Sequence, residues 1–316
     1  MNTNKVALIK GNSRKQNITR ALKLLEKDIV ADLNKKLKNK RNPYILIKPN
    51  FITTRRQLAA THVEAVQAVL DFLKNKYRGK IIIGEAASIG RTKEGFKNYG
   101  YFDLLKEYKN LELVDLNIDE GISLKGVGKK NQPIRLQISK ILYNAPYRIS
   151  VGPMKTHDSA IITASIKNMA VGGLQKGGFR PLNLATKLIL RRSFKDYKAA
   201  IHQGFRALNL NIAKLYPKTK ADLAVIDAYE SMERNGPVGG DKVEMKLAIA
   251  SQNPIAADTL AAYLMGFDED RIGYLHFLDA DFSKLEIIGG NPALYRAKFR
   301  PHDSYVQQLD WEGKNG

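Results

Sequence analysis

A repeating rhythm constrains this chain more than any single motif does. A short run of β-branched residues is followed by a polar loop and then by an amphipathic helix. "KVALIKG" precedes "ITRALKLLEKDIVADL", with Asn17 as the expected N-cap; "YILIKPN" precedes "HVEAVQAVLDFLKNKY", with Thr61 as the expected cap; "KIIIGEA" precedes "GFKNYGYFDLLKEY", and "LELVDLN" comes next. Such alternation predicts an α/β fold, a mostly parallel sheet flanked by helices.

The later chain adds detail to that frame. Between Ile122 and Ile138, alternation around a Gly-Lys-Lys-Asn-Gln turn predicts a hairpin insertion, after which "YRISVGP", "DLAVIDA", "KLAIAS" and "LEIIGG" read as strands. Pro254 stands at the first turn of "NPIAADTLAAYLMG" with Asn253 as cap. Residues 174–200 combine Gly, Pro and basic residues on a weak helical pattern and are expected to form a basic lid-like segment or insertion. No Ser/Gly-rich linker or internal repeat divides the sequence, so residues 1–316 are expected to form one elaborated α/β domain, with two lobes as the variant arrangement. The last dozen residues read as a tail packed by Trp311.

Composition narrows the chemistry. The 316 residues contain no cysteine, which excludes disulfides, thiol nucleophiles and iron–sulfur ligation by this chain; a metal here needs His, Asp, Glu or carbonyl ligands. The N-terminal apolar stretch is too short for a signal-peptide core, and no apolar run approaches the roughly 18 residues of a membrane span, so the expected location is cytoplasmic, with no membrane partner. A formal net charge of +21 is enough to gather carboxylates, phosphates or nucleic acid, although much of it lies on ordinary solvated helix faces.

In open α/β sheets, ligands bind outside the carboxyl ends of the strands. Following each apolar run to its end gives Lys10, Gly11 and Asn12, then Lys48 and Asn50, then Gly84 and Glu85, then Lys155 and His157, then Asp227 and Glu230. These residue types recur at one end of successive strands, which predicts a shared site. His157 is expected to leave its strand. Lys167 and Asn168 follow "AIITAS", a short strand or a first helical turn, and Gly172 and Gly173 in "VGGLQKGG" offer amides of the kind that form an anion nest. Their spacing is neither a Walker nor a dinucleotide fingerprint. His202 lies on or entering a helix before Gly204. Gly236 and Gly239 belong to a tight turn with exposed amides, or to a plain hairpin connection. Asp258 is a carboxylate among alanines, a placement that demands a partner: a helix end, a lysine or a metal. His62, His276 and His302 are expected to be structural.

The ordered set "ILIKPNF", "GEAAS", "ISVGPMKTH", "SIKNMAVGG", "IHQG", "AVIDAYESMERNGPVGG" and "NPIAADTLAAYLMGF" resembles the family known as domain of unknown function 362, over roughly Lys48 to Phe267. The resemblance implies an α/β protein. Some members of that family are fused to ferredoxin-like iron–sulfur modules; a chain without cysteine would need a separate redox partner protein for such a role. A looser similarity, a His followed by a Lys before a Gly-containing turn, extends to the lactate racemase family, in which such residues handle a nickel-containing cofactor and an α-hydroxy acid.

The expected function is therefore an enzyme acting on a small carboxylate or phosphate at the carboxyl edge of the sheet. Lys48, Lys155 and Lys167 orient the anion with Asn50, Asn168 and the glycine amides, His157 is the general acid or base, and Glu85 or Asp227 orients it. His157, His202, Glu85 and Asp227 are the alternative ligand set for a divalent cation. A nucleic-acid-binding protein using "KGGFR" and "LILRRSFKDYK" is the second class, with Phe179, Phe194 and Tyr197 to stack on bases, though no helix-turn-helix, RNP or zinc-finger signature accompanies it. A non-catalytic carrier or sensor is the third.

Overall fold

Parallel pairing at the centre of the sheet determines where the polar strand ends meet. In the computed structural model, which describes residues 4–176 and 196–313, the strands are β1 (Lys5–Lys10), β2 (Tyr44–Lys48), β3 (Lys80–Glu85), β4 (Leu111–Asp115), β5 (Gly121–Val127), β6 (Pro133–Ser139), β7 (Tyr147–His157), β8 (Ile161–Thr163), β9 (Leu223–Glu233), β10 (Asp241–Ser251) and β11 (Glu286–Ile288). Nine of them form one sheet in the order β11-β1-β10-β9-β7-β2-β3-β4, with β8 paired to β7. Neighbours β9, β7, β2, β3 and β4 run parallel, and β10 is antiparallel to both β9 and β1. Strands β1, β9, β7, β2, β3 and β4 thus end at the same edge. The chain grows outward from β2 through β3 to β4 and then returns to β7 on the other side of β2, so β2 and β7 flank the topological switch point.

The apolar runs are explained by burial on both faces. Ile45, Ile47, Ile81, Ile83, Ile149 and Val151 pack under the helices Arg14–Leu24, Glu26–Leu37 and Val63–Leu73. Leu46, Ile82, Ala224 and Ile226 face the opposite layer, which includes Leu208 and Ile212 of helix Phe205–Thr219 and Leu260 and Leu264 of helix Pro254–Met265. The expected hairpin is β5 and β6, paired from Gly121↔Ser139 to Val127↔Pro133 as a separate two-stranded sheet. Its turn places Lys130 and Asn131 at positive φ. Leu124, Leu136 and Ile138 attach it to the core.

Two expected caps are replaced by better-placed neighbours. Ser13 caps the first helix by accepting from the Gln16 amide, while Asn17 lies inside that helix and donates from Nδ2 to the carbonyls of Gly11 and Lys246. His62, not Thr61, caps Val63–Leu73. The Thr61 hydroxyl is buried instead, accepting from the Asn50 amide and donating to the Val151 carbonyl, both at 2.8 Å. Asn253 does cap Pro254–Met265, and buried Trp311 holds the tail by donating to the Arg271 carbonyl at 2.8 Å. Most of the expected lid, residues 177–195, lies outside the described residues; of the remainder, Tyr197–Ala200 is a short helix.

Candidate functional site

At the end of β2, Lys48 is wholly buried, and its Nζ lies 2.5 Å from Oε2 of Glu85 at the end of β3. The same ammonium donates to Asn168 Oδ1 at 3.1 Å and to the Pro49 carbonyl at 3.0 Å. Asn168 returns its Nδ2 to the Lys48 carbonyl and to Ser150 Oγ, and Asn50 Nδ2 donates to Asn168 Oδ1. Lys155, on β7, donates to Asn50 Oδ1 at 2.6 Å and to the Ala59 carbonyl at 3.1 Å. Burial lowers the pKa of both lysines; the Glu85 carboxylate opposes the shift at Lys48, whereas the charges of Lys167 and Lys48 add to it at Lys155. Four of the expected residues therefore form one buried network across the switch point, joined through Asn168.

A second cluster stands above it. Strand β8 folds back on β7 with His157 opposite Ile161, a β-branched residue held at φ 60°, a backbone conformation that costs free energy and is retained where the surroundings fix it. "AIITAS" is thus a short strand followed by helix Ser165–Ala170, which carries Lys167 and Asn168. Asp258 holds the start of that helix: its carboxylate accepts from the Ser165 amide at 2.8 Å, the Ile166 amide at 3.1 Å and the Tyr274 hydroxyl at 3.0 Å. The partner this carboxylate demanded is a helix end, and Asp258 lies wholly buried behind the site, not among the residues that line the cleft.

The result is a close contact between Lys167 Nζ and His157 Nε2, 2.7 Å apart. Burial lowers the Lys167 pKa to about 8, and burial together with the Lys167 charge lowers that of His157 to about 3. The sequence reading has His157 titrating near neutrality; the structure keeps its ring neutral and instead brings the neighbouring Lys167 amine down to titrate near pH 8. The Nδ1 of His157 faces both the Asp158 carboxylate, at 2.9 Å, and the Ser159 amide, at 3.0 Å. Burial acts against ionisation of Asp158, but hydrogen bonds from His157 and Ser159 keep its pKa well below the usual carboxylate range. With an acceptor and a donor at Nδ1, either neutral tautomer of His157 is satisfied. One presents a bare Nε2 to a lysine ammonium, and the other presents Nε2–H to a free amine.

A cleft of about 400 Å³ opens beside this pair. Among the described residues it is lined by nine of the expected residues, Asn50, Glu85, His157, Lys167, Asn168, Gly172, His202, Gly236 and Gly239, whereas Lys48 and Lys155 lie beneath it and do not line it. His202 lies in the turn between two helices, exposed, its ring stacked 6.3 Å from that of His157 and its Nδ1 2.5 Å from the Lys198 carbonyl. Lys198, Asp158, Ser88, Ile89 and Val238 also line the cleft and were not anticipated, and neither was His302, expected to be structural. Lys198 is buried and donates to the carbonyls of Gly172, at 3.1 Å, and Ala86; burial lowers its pKa to about 7. The only signal for it in the sequence is its place in a basic segment.

Other expected residues stand apart. Asp227 lies 2.9 Å from Arg14 Nε, and with Glu230 and His62 it lines a separate cavity. Burial raises its pKa to about 6 against the pull of Arg14. It does not orient His157, whose carboxylate neighbour is Asp158. For the same reason the expected metal set of His157, His202, Glu85 and Asp227 does not assemble, and among the described residues no group of three or more His, Asp or Glu side chains is placed to hold a metal ion. The glycine amides are also engaged. Gly172 and Gly173 donate to the carbonyls of Lys167 and Met169, closing the helix, while Gly236 and Gly239 donate to those of Arg234 and Asn235 in the β9–β10 hairpin loop. Neither pair forms an open anion nest.

A mostly parallel α/β sheet with a polar cleft over its switch point defines the class of this protein. The chain belongs to the family described as domain of unknown function DUF362, whose family model matches residues 45–263. It is 25% identical over 228 residues to a thylakoid-associated protein of Synechocystis, covering 71% of this chain and 63% of that relative's length. Among solved structures it is similar to a protein from Thermotoga maritima, with a TM-score of 0.46 and 12% identity over 75% of this chain and 56% of that one. It is also similar to the lactate racemase apoprotein from Thermoanaerobacterium thermosaccharolyticum, with a TM-score of 0.44 and 14% identity over 78% and 53% of the two chains. Among the described residues, no helix is long and apolar enough to cross a membrane.

Proposed function

We propose that this chain is an enzyme that binds a small organic anion in the cleft at the carboxyl edge of its sheet and moves a proton to or from it. The observation that carries this reading is the 2.7 Å contact between Lys167 and His157, buried on the wall of a cleft that Lys198 also lines. An ammonium with a pKa near the working pH is suited to both roles: charged, it orients an anion; neutral, it accepts a proton. His157 acts as a neutral relay whose tautomer follows the charge on Lys167. Lys48, Glu85, Asn50, Asn168 and Lys155 form the rigid floor that sets the position of the pair, and Gly172 allows the backbone to approach Lys48. The strongly basic surface serves to attract the anion.

Native mass spectrometry of gently purified protein tests this reading, with Lys167→Gln and His157→Gln as controls. The expected result is a homogeneous small-molecule adduct, or retention of an added carboxylate or phosphate, that both variants lose while their melting temperatures stay near that of the parent. Retention unchanged in both variants, or binding confined to nucleic acid and abolished by salt, would overturn it.

A further inference from the structure

The donors in the cleft limit the kind of anion it can hold. An ammonium carries three N–H donors and no acceptor. Lys48 uses all three, on Glu85, Asn168 and the Pro49 carbonyl, and Lys155 is turned to Asn50 and the Ala59 carbonyl. Lys198 uses two, on the carbonyls of Ala86 and Gly172, and Lys167 has one contact, to His157. Among the described residues, Lys167 and Lys198 thus have three N–H directions left between them, and both line the cleft.

A phosphate group is commonly held by several backbone amides or by the planar fork of an arginine, with lysine adding a point charge beside them. The amides of Gly172 and Gly236 in this cleft are already bonded to carbonyls, and no arginine is among its described lining residues. Two oxygens of a carboxylate match the remaining donors. One part of the wall is apolar, formed by Ile52, Ile89, Pro237 and Val238 beside the polar side that carries Asp158, Asp196 and His202, and Ile89 is 54% exposed although its backbone is held, its amide donating to the Ile52 carbonyl at 2.9 Å. Val238 is likewise fixed, its carbonyl accepting from Arg56.

Resting on the reading of this cleft as a substrate site, we propose that its ligand is a monocarboxylic acid with an apolar body of several carbons. The carboxylate lies between Lys167 and Lys198, and the apolar part lies against Ile89 and Val238. The volume of about 400 Å³ is within the range of small-molecule sites.

Calorimetric titration of the intact protein at pH 6.5 with acetate, hexanoate, inorganic phosphate and hexyl phosphate tests the assignment. Hexanoate is expected to bind at least about tenfold more tightly than acetate, since four methylenes leave water, and more tightly than either phosphate. Ile89→Ser, or Val238→Ser if the first variant fails to fold, is expected to bring the hexanoate-to-acetate ratio close to one. Equal binding of acetate and hexanoate would overturn the apolar body and leave the enzyme reading standing. Tighter binding of phosphate or hexyl phosphate would overturn the carboxylate assignment. Binding of none of the four would overturn both the assignment and the reading beneath it.

Discussion

Lys167 Nζ and His157 Nε2 lie 2.7 Å apart at the carboxyl edge of the sheet, on side chains delivered by adjoining elements, the end of β7 and the helix that follows β8. Burial holds the lysine near pH 8 and keeps the imidazole neutral. A proton leaving Lys167 therefore changes what Nε2 must do. Below about pH 8 it accepts from an ammonium, with Nδ1–H directed to Asp158; above it, Nε2–H donates to an amine, with Nδ1 accepting from the Ser159 amide. Nitrogen chemical shifts of His157 followed from pH 6 to 10 are expected to show the tautomer exchanging with a midpoint near 8, while Asp158→Asn weakens the low-pH form. A single tautomer across the range would contradict the coupling.

Lys48 and Glu85 form a buried pair whose partners share a network with Asn168. Removing one charge strands the other, a loss of about 3–5 kcal/mol for buried pairs. Glu85→Gln is expected to lose stability on that scale in urea denaturation, and Lys48→Met combined with Glu85→Gln to lose clearly less than the sum of the single changes.

Asp258 couples stability to pH. Its carboxyl is raised by burial to about 7 from an ordinary value near 3.8, against the pull of the Ile166 and Ser165 amides and the Tyr274 hydroxyl. The folded state thus holds the proton more tightly than the unfolded chain, so the stabilising contribution is full below about pH 4 and is lost as pH rises through about 7. Asp258→Asn is expected to flatten this part of the stability–pH profile. Asp258→Ala leaves the helix amides without a partner and is expected to cost about 1–3 kcal/mol.

Gly172 allows the close approach at the floor of the site. A Cβ there would lie 2.2 Å from the Asn168 carbonyl oxygen and 2.9 Å from Lys48 Nζ. Gly172→Ala is expected to shift the end of the Lys167 helix, lowering both ligand affinity and melting temperature, whereas Gly239→Ala, with 3.2 Å to its nearest neighbour, is expected to do so far less.

The α/β architecture, the hairpin and the shared edge of polar strand ends were legible in the sequence, because burial on both faces writes itself as apolar runs and the chain leaves each run at its carboxyl end. That edge grouped Lys48, Asn50, Glu85, Lys155 and His157, and nearness to His157 along the chain added Lys167 and Asn168. The roles within it were not legible. Asp227 lies within β9, which neighbours β7, but it is paired with Pro153, four residues before His157, and faces Arg14; register, not strand order, keeps it from the cleft. Asp158, the residue beside His157, supplies the carboxylate instead, and a single step along the chain carries no sequence signature. Lys198 reaches the cleft from a short helix outside the strand rhythm, and His302 arrives from the C-terminal region. The glycine pairs read as a nest because their amides count only once the structure shows which carbonyls they already serve.

In the proposed mechanism the Lys167 ammonium holds the ligand beside neutral His157. Calorimetric titration of hexanoate into the parent protein and Lys167→Gln from pH 6 to 9.5 reads that contact out. The predicted result is binding that is strongest below about pH 7, weakens as Lys198 and then Lys167 lose their protons through about 7 and about 8, and is lost in the variant; affinity independent of pH and unchanged in Lys167→Gln would contradict it.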